Sequence, residues 1–129
     1  MNKTAYQRGL ARLKQVDAEA GERVIASLQG IAPDLGRYII EFGFGEIYCR
    51  DGLSLQQREL ATIAALTALG TAEPQLKVHI EAGLNVGLSQ QEIIETIIQM
   101  AVYAGFPAAL NGIFAAQAVF EKRQADTID

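Results

Sequence analysis

His79 is the chain's only histidine, and an imidazole is the side chain best suited to moving a proton near neutral pH. On a helix advancing about 100° per residue, Glu73, Lys77 and Glu81 fall at four-residue spacing and form a solvated stripe. His79 then points away from Lys77, toward the side that carries Gln75, Leu76, Ala82, Gly83 and Val86. Two readings of that position stand: a hydrogen-bonded core histidine, or a group that transfers a proton. A metal centre is not expected, because the sequence has neither a cysteine pair nor a His-Glu-x-x-His arrangement to join a lone histidine.

A second concentration of chemistry lies in Phe42-Gly43-Phe44-Gly45-Glu46-Ile47-Tyr48-Cys49-Arg50. Glu46 and Arg50 are four apart, which suits either an exposed helix ion pair or a carboxylate and a guanidinium at the rim of a pocket walled by Phe42, Phe44 and Tyr48. Arg58 is the last cation before an uncharged run, so it is either a snorkelling boundary residue or an anion clamp. Tyr103, beside Gly105-Phe106-Pro107, reads as a satisfied core tyrosine or as a hydrogen-bond donor to a ligand. Cys49 has no Cys-x-x-Cys partner, which removes an intrachain dithiol cycle. Neither glycine-rich spot carries a nucleotide-phosphate motif.

The elements that must position these groups read as helices throughout. The 129 residues are half hydrophobic, enough for one domain over 1–129 with a real core. Ala-, Leu- and Gln-rich segments lack the alternation of strands. An all-α bundle of five or six helices is expected. Residues 1–30 suggest one or two peripheral helices, running from Thr4 to about Gln29 and broken near Gly21. Pro33-Asp34 opens the next helix, which Asp51-Gly52 ends.

Gly52-Leu53-Ser54 then recurs as Gly87-Leu88-Ser89, 35 residues later. Ser54 with Gln57, and Ser89 with Glu92, have the spacing of capping boxes. Gly70 and Gly105 close the two helices so begun. Pro74 opens a helix to Val86 and Pro107 a final one toward Phe120, which makes a repeated helical hairpin.

The net charge of −4 comes with scattered cations, which argues against nucleic acid as a partner. A single cysteine gives no sign of an oxidising compartment, and Met1–Arg8 lacks the apolar run of a secretory signal, so the cytoplasm is the expected location. The uncharged stretch from Thr96 to Phe120 is broken by Gln99, Gly105, Pro107, Asn111, Gly112 and Gln117, so a membrane span is not expected. Leu60–Leu69 and Ala101–Phe120 carry no charge on any face. Helices of that kind need cover on all sides, and a domain this small cannot supply it, so a homo-oligomer is expected.

Taken in order, several segments resemble the carboxymuconolactone decarboxylase family. They are Gly45-Glu46-Ile47-Tyr48-x-Arg50-x-Gly52-Leu53, Arg58-x-Leu60-x-Thr62-Ile63-Ala64, His79 and Gly83-Leu84-Asn85-x-Gly87. Glu92-Ile93, Gln99 and Tyr103-x-Gly105-x-Pro107-Ala108-Ala109 continue the match. The resemblance spans about 34–121 and implies an all-helical core assembled as a ring of six subunits, a trimer of dimers. It also implies cofactor-free loss of carbon dioxide from 4-carboxymuconolactone, giving the 3-oxoadipate enol-lactone in aromatic-acid breakdown.

In that reaction Arg50 and Arg58 would hold the substrate's carboxylates, while Phe44, Tyr48 and Tyr103 line the pocket. His79 would protonate carbon as general acid, with Glu46 orienting it or relaying the proton. The related alkylhydroperoxidase-D-like proteins use a Cys-x-x-Cys before the histidine, where this chain has Ala72 and Gln75. That departure favours the decarboxylase branch over a thiol peroxidase working through Cys49. The remaining alternative is a non-catalytic member that binds a small acid or serves as a scaffold.

Overall fold

The computed structural model describes residues 2–128, and among them every regular element is helical. Six α-helices occur: α1 (Ala5–Leu28), α2 (Pro33–Tyr38), α3 (Leu55–Leu69), α4 (Glu73–Asn85), α5 (Gln90–Ala104) and α6 (Phe106–Ile128). A π-helical segment, Ile39–Ile47, continues directly from α2. The chain forms two compact units, Met1–Leu55 and Gln56–Asp129.

In the first unit α1 starts at a capping box. Thr4 accepts from the Gln7 backbone amide, and the Gln7 side chain accepts from the Thr4 amide. The helix breaks at Ala18 (φ 52°, ψ −135°), three residues before the expected Gly21. Gly21 is instead a packing position, where an added Cβ would lie 2.6 Å from Leu13 Cδ1. On its inner face Leu13 and Val16 are fully buried.

The helix begun at Pro33 was expected to run unchanged to Asp51-Gly52, yet beyond Tyr38 its turns widen, as in the bond from the Tyr48 amide to the Gly43 carbonyl. Glycine explains how the segment packs against α1. A Cβ on Gly9 would stand 1.9 Å from the Ile40 carbonyl oxygen, and one on Gly45 would stand 2.3 Å from that of Ala5. Backbone therefore meets backbone at this crossing.

The second unit contains the two hairpins, α3–α4 and α5–α6, around a core of Ile63, Leu76, Ile80, Leu88, Ile93, Ile97, Ala115, Ala116 and Val119. Several of the predicted signals are present. Gly70 and Gly105 have φ of +74° and +95°, the left-handed region that favours glycine. Ser89 and Glu92 form the second capping box, and Pro74 sits in the first turn of α4. The last helix runs past Phe120 to Ile128, and Arg123 on it bonds Glu81 and Asn85 of α4. That contact takes Glu81 out of the solvated stripe, leaving Lys77 paired with Glu73 at 3.1 Å. Among the described residues no helix is long and apolar enough to cross a membrane.

Candidate active site

In the second unit, α3 turns Glu59, Ile63 and Thr67 inward along one helix line, and all three are buried. A wholly buried carboxylate must be met by donors, because desolvating an unpaired charge is costly. Glu59 is 0% exposed, and His79 of α4 donates to it: Nδ1 lies 3.0 Å from Oε2 and 3.3 Å from Oε1. A carboxylate only accepts, so Nδ1 carries the hydrogen. The tautomer is thereby set. Nε2 is the other ring nitrogen, and the imidazole side chain is 20% exposed.

This contact suits both readings of His79, a hydrogen-bonded core histidine and a proton-transfer group. The ring stands at the edge of the face formed by Leu76, Ile80 and Gly83, with its far nitrogen free of the carboxylate. Positive charge on the ring is stabilised by the adjacent anion, the logic of a base held and oriented by a buried acid. Arg58 is the sequence neighbour of Glu59; its Nε is shielded from solvent, and its carbonyl accepts from the Thr62 hydroxyl at 2.9 Å.

In the first unit the π-helical segment carries the second cluster. Phe44 is buried and its ring lies 5.1 Å from that of Tyr48 at 32°, so two of the expected aromatic residues do pack together. Glu46 is exposed and pairs with Arg8 of α1 at 3.0 Å, an ion pair that the spacing to Arg50 did not foretell. Arg50 is exposed. Phe42 is exposed as well, rather than forming a wall. Cys49 is half-buried, its Sγ 3.9 Å from the Arg8 carbonyl. Tyr103, at the end of α5, is 78% exposed and so is no core tyrosine in the single chain.

The acid on the histidine is therefore Glu59, a residue the sequence reading passed over. Its signal was the four-residue spacing to Ile63, which puts an acid on a core-facing line. No cluster of three or more His, Cys, Asp or Glu side chains suited to a metal ion occurs among the described residues.

The chain is 34% identical to the 4-carboxymuconolactone decarboxylase of Acinetobacter baylyi, over 90% of its own length and 87% of that protein. It is equally similar, at 34%, to an uncharacterised 15.0 kDa protein of Paracoccus denitrificans, covering 78% of this chain and 75% of the other. A nitrosuccinic acid decarboxylase of Metarhizium robertsii is 30% identical over 61% of this chain and 54% of that one. The profile of the carboxymuconolactone decarboxylase family matches residues 33–118, a span that includes the Glu59–His79 pair, and the chain belongs to that family.

Proposed function

We propose that the protein is a decarboxylase of activated carboxylic acids, with 4-carboxymuconolactone as its first candidate substrate. The observation that carries this reading is the hydrogen bond from His79 Nδ1 to a fully buried Glu59. When the bond to the carboxylate carbon breaks, carbon dioxide leaves and its electron pair moves into the unsaturated lactone, ending on the carbonyl oxygen as a dienolate. The reaction then needs one proton on carbon. His79 in its protonated form gives the Nε2 proton, keeps Nδ1–H on Glu59, and is reprotonated from solvent. The electron sink is part of the substrate, so the chemistry asks for no cofactor.

The relatives' names support this substrate logic. A carboxymuconolactone and a nitrosuccinic acid both carry more than one oxygen-rich acceptor, and in each the leaving carboxylate stands where a carbonyl or nitro group takes up the electrons. Arg58, beside Glu59 on α3, is assigned to a substrate carboxylate.

The test is carbon dioxide release from 4-carboxymuconolactone and, separately, from 2-nitrosuccinate. Wild type turns over at least one of them, and His79→Gln loses turnover while retaining helix content. Arg58→Gln raises KM more than it lowers kcat. Wild-type rates in His79→Gln refute the proton-donor role, and inactivity of the wild type on both acids refutes the decarboxylase reading.

A further inference from the structure

Thr67, on the inward line of α3 below Glu59 and Ile63, is the buried polar group that the proposed chemistry does not use. It is 2% exposed, and among the described residues its Oγ1 has no hydrogen-bond partner. A threonine inside a helix can fall back on the carbonyl four residues earlier, as Thr62 does on α3 and Thr96 on α5. Thr67 does not take that bond. A buried hydroxyl without a partner is costly, so its surroundings should supply one.

Thr67 lines a cleft of about 40 Å³ together with Gly70, Ala72, Glu73, Asn111 and Gly112. A Cβ built on Gly112 would stand 3.3 Å from Oγ1, so the hydroxyl is turned to the side on which α6 closes the cleft. Two helix ends meet here with opposite needs. The last four carbonyls of α3, those of Leu66 and Thr67 among them, have no acceptance to give within their own helix. The first amides of α4 lack intrahelical partners too, and the N-cap residue Ala72 makes no side-chain cap.

We infer that the cleft is a binding site for one ordered water, which joins Thr67 Oγ1 to the start of α4 and to the side-chain amide of Asn111. Size excludes larger occupants, since a water takes about 30 Å³ in the liquid while sites for organic ligands begin near roughly 300 Å³. Charge excludes ions. An anion would meet the Glu73 carboxylate and the carbonyl end of α3, and a cation would meet the amide end of α4. Water both donates and accepts, so it alone satisfies carbonyls, amides and a hydroxyl together.

The site does not depend on the decarboxylase reading. Thr67 lies eight residues beyond Glu59, about 12 Å along α3. The α3–α4 hairpin is thus fastened by Glu59 and His79 at one level and by the water at another. In the second hairpin the residue 35 positions after Thr67 is Val102, so the repeat folds without a hydroxyl at that place.

Water–protein NOE spectroscopy of the isotope-labelled full chain tests this. Long-lived water should give cross-peaks to the Thr67 methyl group and the Glu73 amide, with NOE and ROE of opposite sign. Their absence in the wild type would overturn the inference. Thr67→Val keeps the shape of the side chain and removes the hydroxyl. It should abolish the water contact at Glu73 and lower the melting temperature by several degrees, because the bridge is lost. In a dry cleft the same change removes an unsatisfied hydroxyl and raises the melting temperature; a rise, or a Glu73 contact that survives in the variant, would overturn the site. Anomalous density in the cleft of bromide-grown crystals would assign it to an anion and overturn it equally.

Discussion

Replacing Glu59 by glutamine keeps the size of the side chain and its ability to accept the hydrogen of His79 Nδ1, but removes the negative charge. The charge centres of a carboxylate and an imidazolium joined by a 3.0 Å bond lie about 4 Å apart. At an effective dielectric constant near 20, that attraction is about 4 kcal/mol. Solvent reaches one side of the ring, which is 20% exposed, and screening lowers the figure to roughly 2–4 kcal/mol. At about 1.4 kcal/mol per decade, the protonated histidine loses between 30-fold and 1,000-fold in stability.

If that species is the proton donor, kcat for carbon dioxide release falls by the same factor, and KM changes little because Glu59 is fully buried. Stopped-flow detection of carbon dioxide under saturating substrate measures this. A Glu59→Gln kcat within threefold of wild type would refute the reasoning, since it would mean that the population of protonated His79 does not limit the reaction.

Two further predictions concern the frame. Ala18→Gly should raise the melting temperature by several degrees, because a non-glycine residue at φ 52°, ψ −135° costs about 1–3 kcal/mol against an entropic penalty for glycine of about 0.5–1 kcal/mol; thermal circular dichroism checks it, and a lower temperature contradicts the strain argument. Gly9→Ala should cost at least about 3 kcal/mol, because its methyl group would land 1.9 Å from a backbone oxygen that has no rotamer to yield. Urea unfolding measures that loss, and a change under about 1 kcal/mol would mean that α1 can shift off the π-helical segment at little cost.

The parts of the fold that were legible are those written in local chemistry. Gly70 and Gly105 close helices because positive φ suits glycine, Pro74 opens one, and Ser89 with Glu92 caps another. Each signal acts within a few residues, so a sequence displays it. The break at Ala18 is illegible because no turn-forming residue marks it; packing at Gly21 takes the glycine that should have done so. The widened segment from Ile39 escaped for a similar reason, since its turns accompany a backbone crossing with α1, many residues away.

At the candidate site the inward side of α4 was readable from periodicity, and His79 stands at its edge. Its partner was not readable, because a contact across 20 residues depends on how α3 and α4 pack together. Arg8 as the partner of Glu46 was hidden in the same way, 38 positions from it.

The repeat supplies an internal comparison that separates the frame from the chemistry. Glu59 is at the fifth position of α3, and the fifth position of α5 is Ile94. His79 follows the opening proline of α4 by five residues, and the residue five beyond Pro107 in α6 is Gly112. The second hairpin thus folds with an isoleucine and a glycine where the first has a buried acid and a histidine, so hairpin formation does not require that pair. Burying a carboxylate costs several kcal/mol that the bond to His79 only offsets, and well-packed apolar replacements of buried ion pairs are often neutral or stabilising by about 1–4 kcal/mol. The double variant Glu59→Leu/His79→Leu is therefore expected to melt at or above the wild-type temperature while releasing no carbon dioxide. Removing only His79 is expected to be worse for stability than removing both, because it strands the buried carboxylate. A double variant that melts more than about 5 °C below wild type, roughly a 1 kcal/mol loss for a domain of this size, would make the pair a structural brace and leave the retention of Glu59 explained without catalysis.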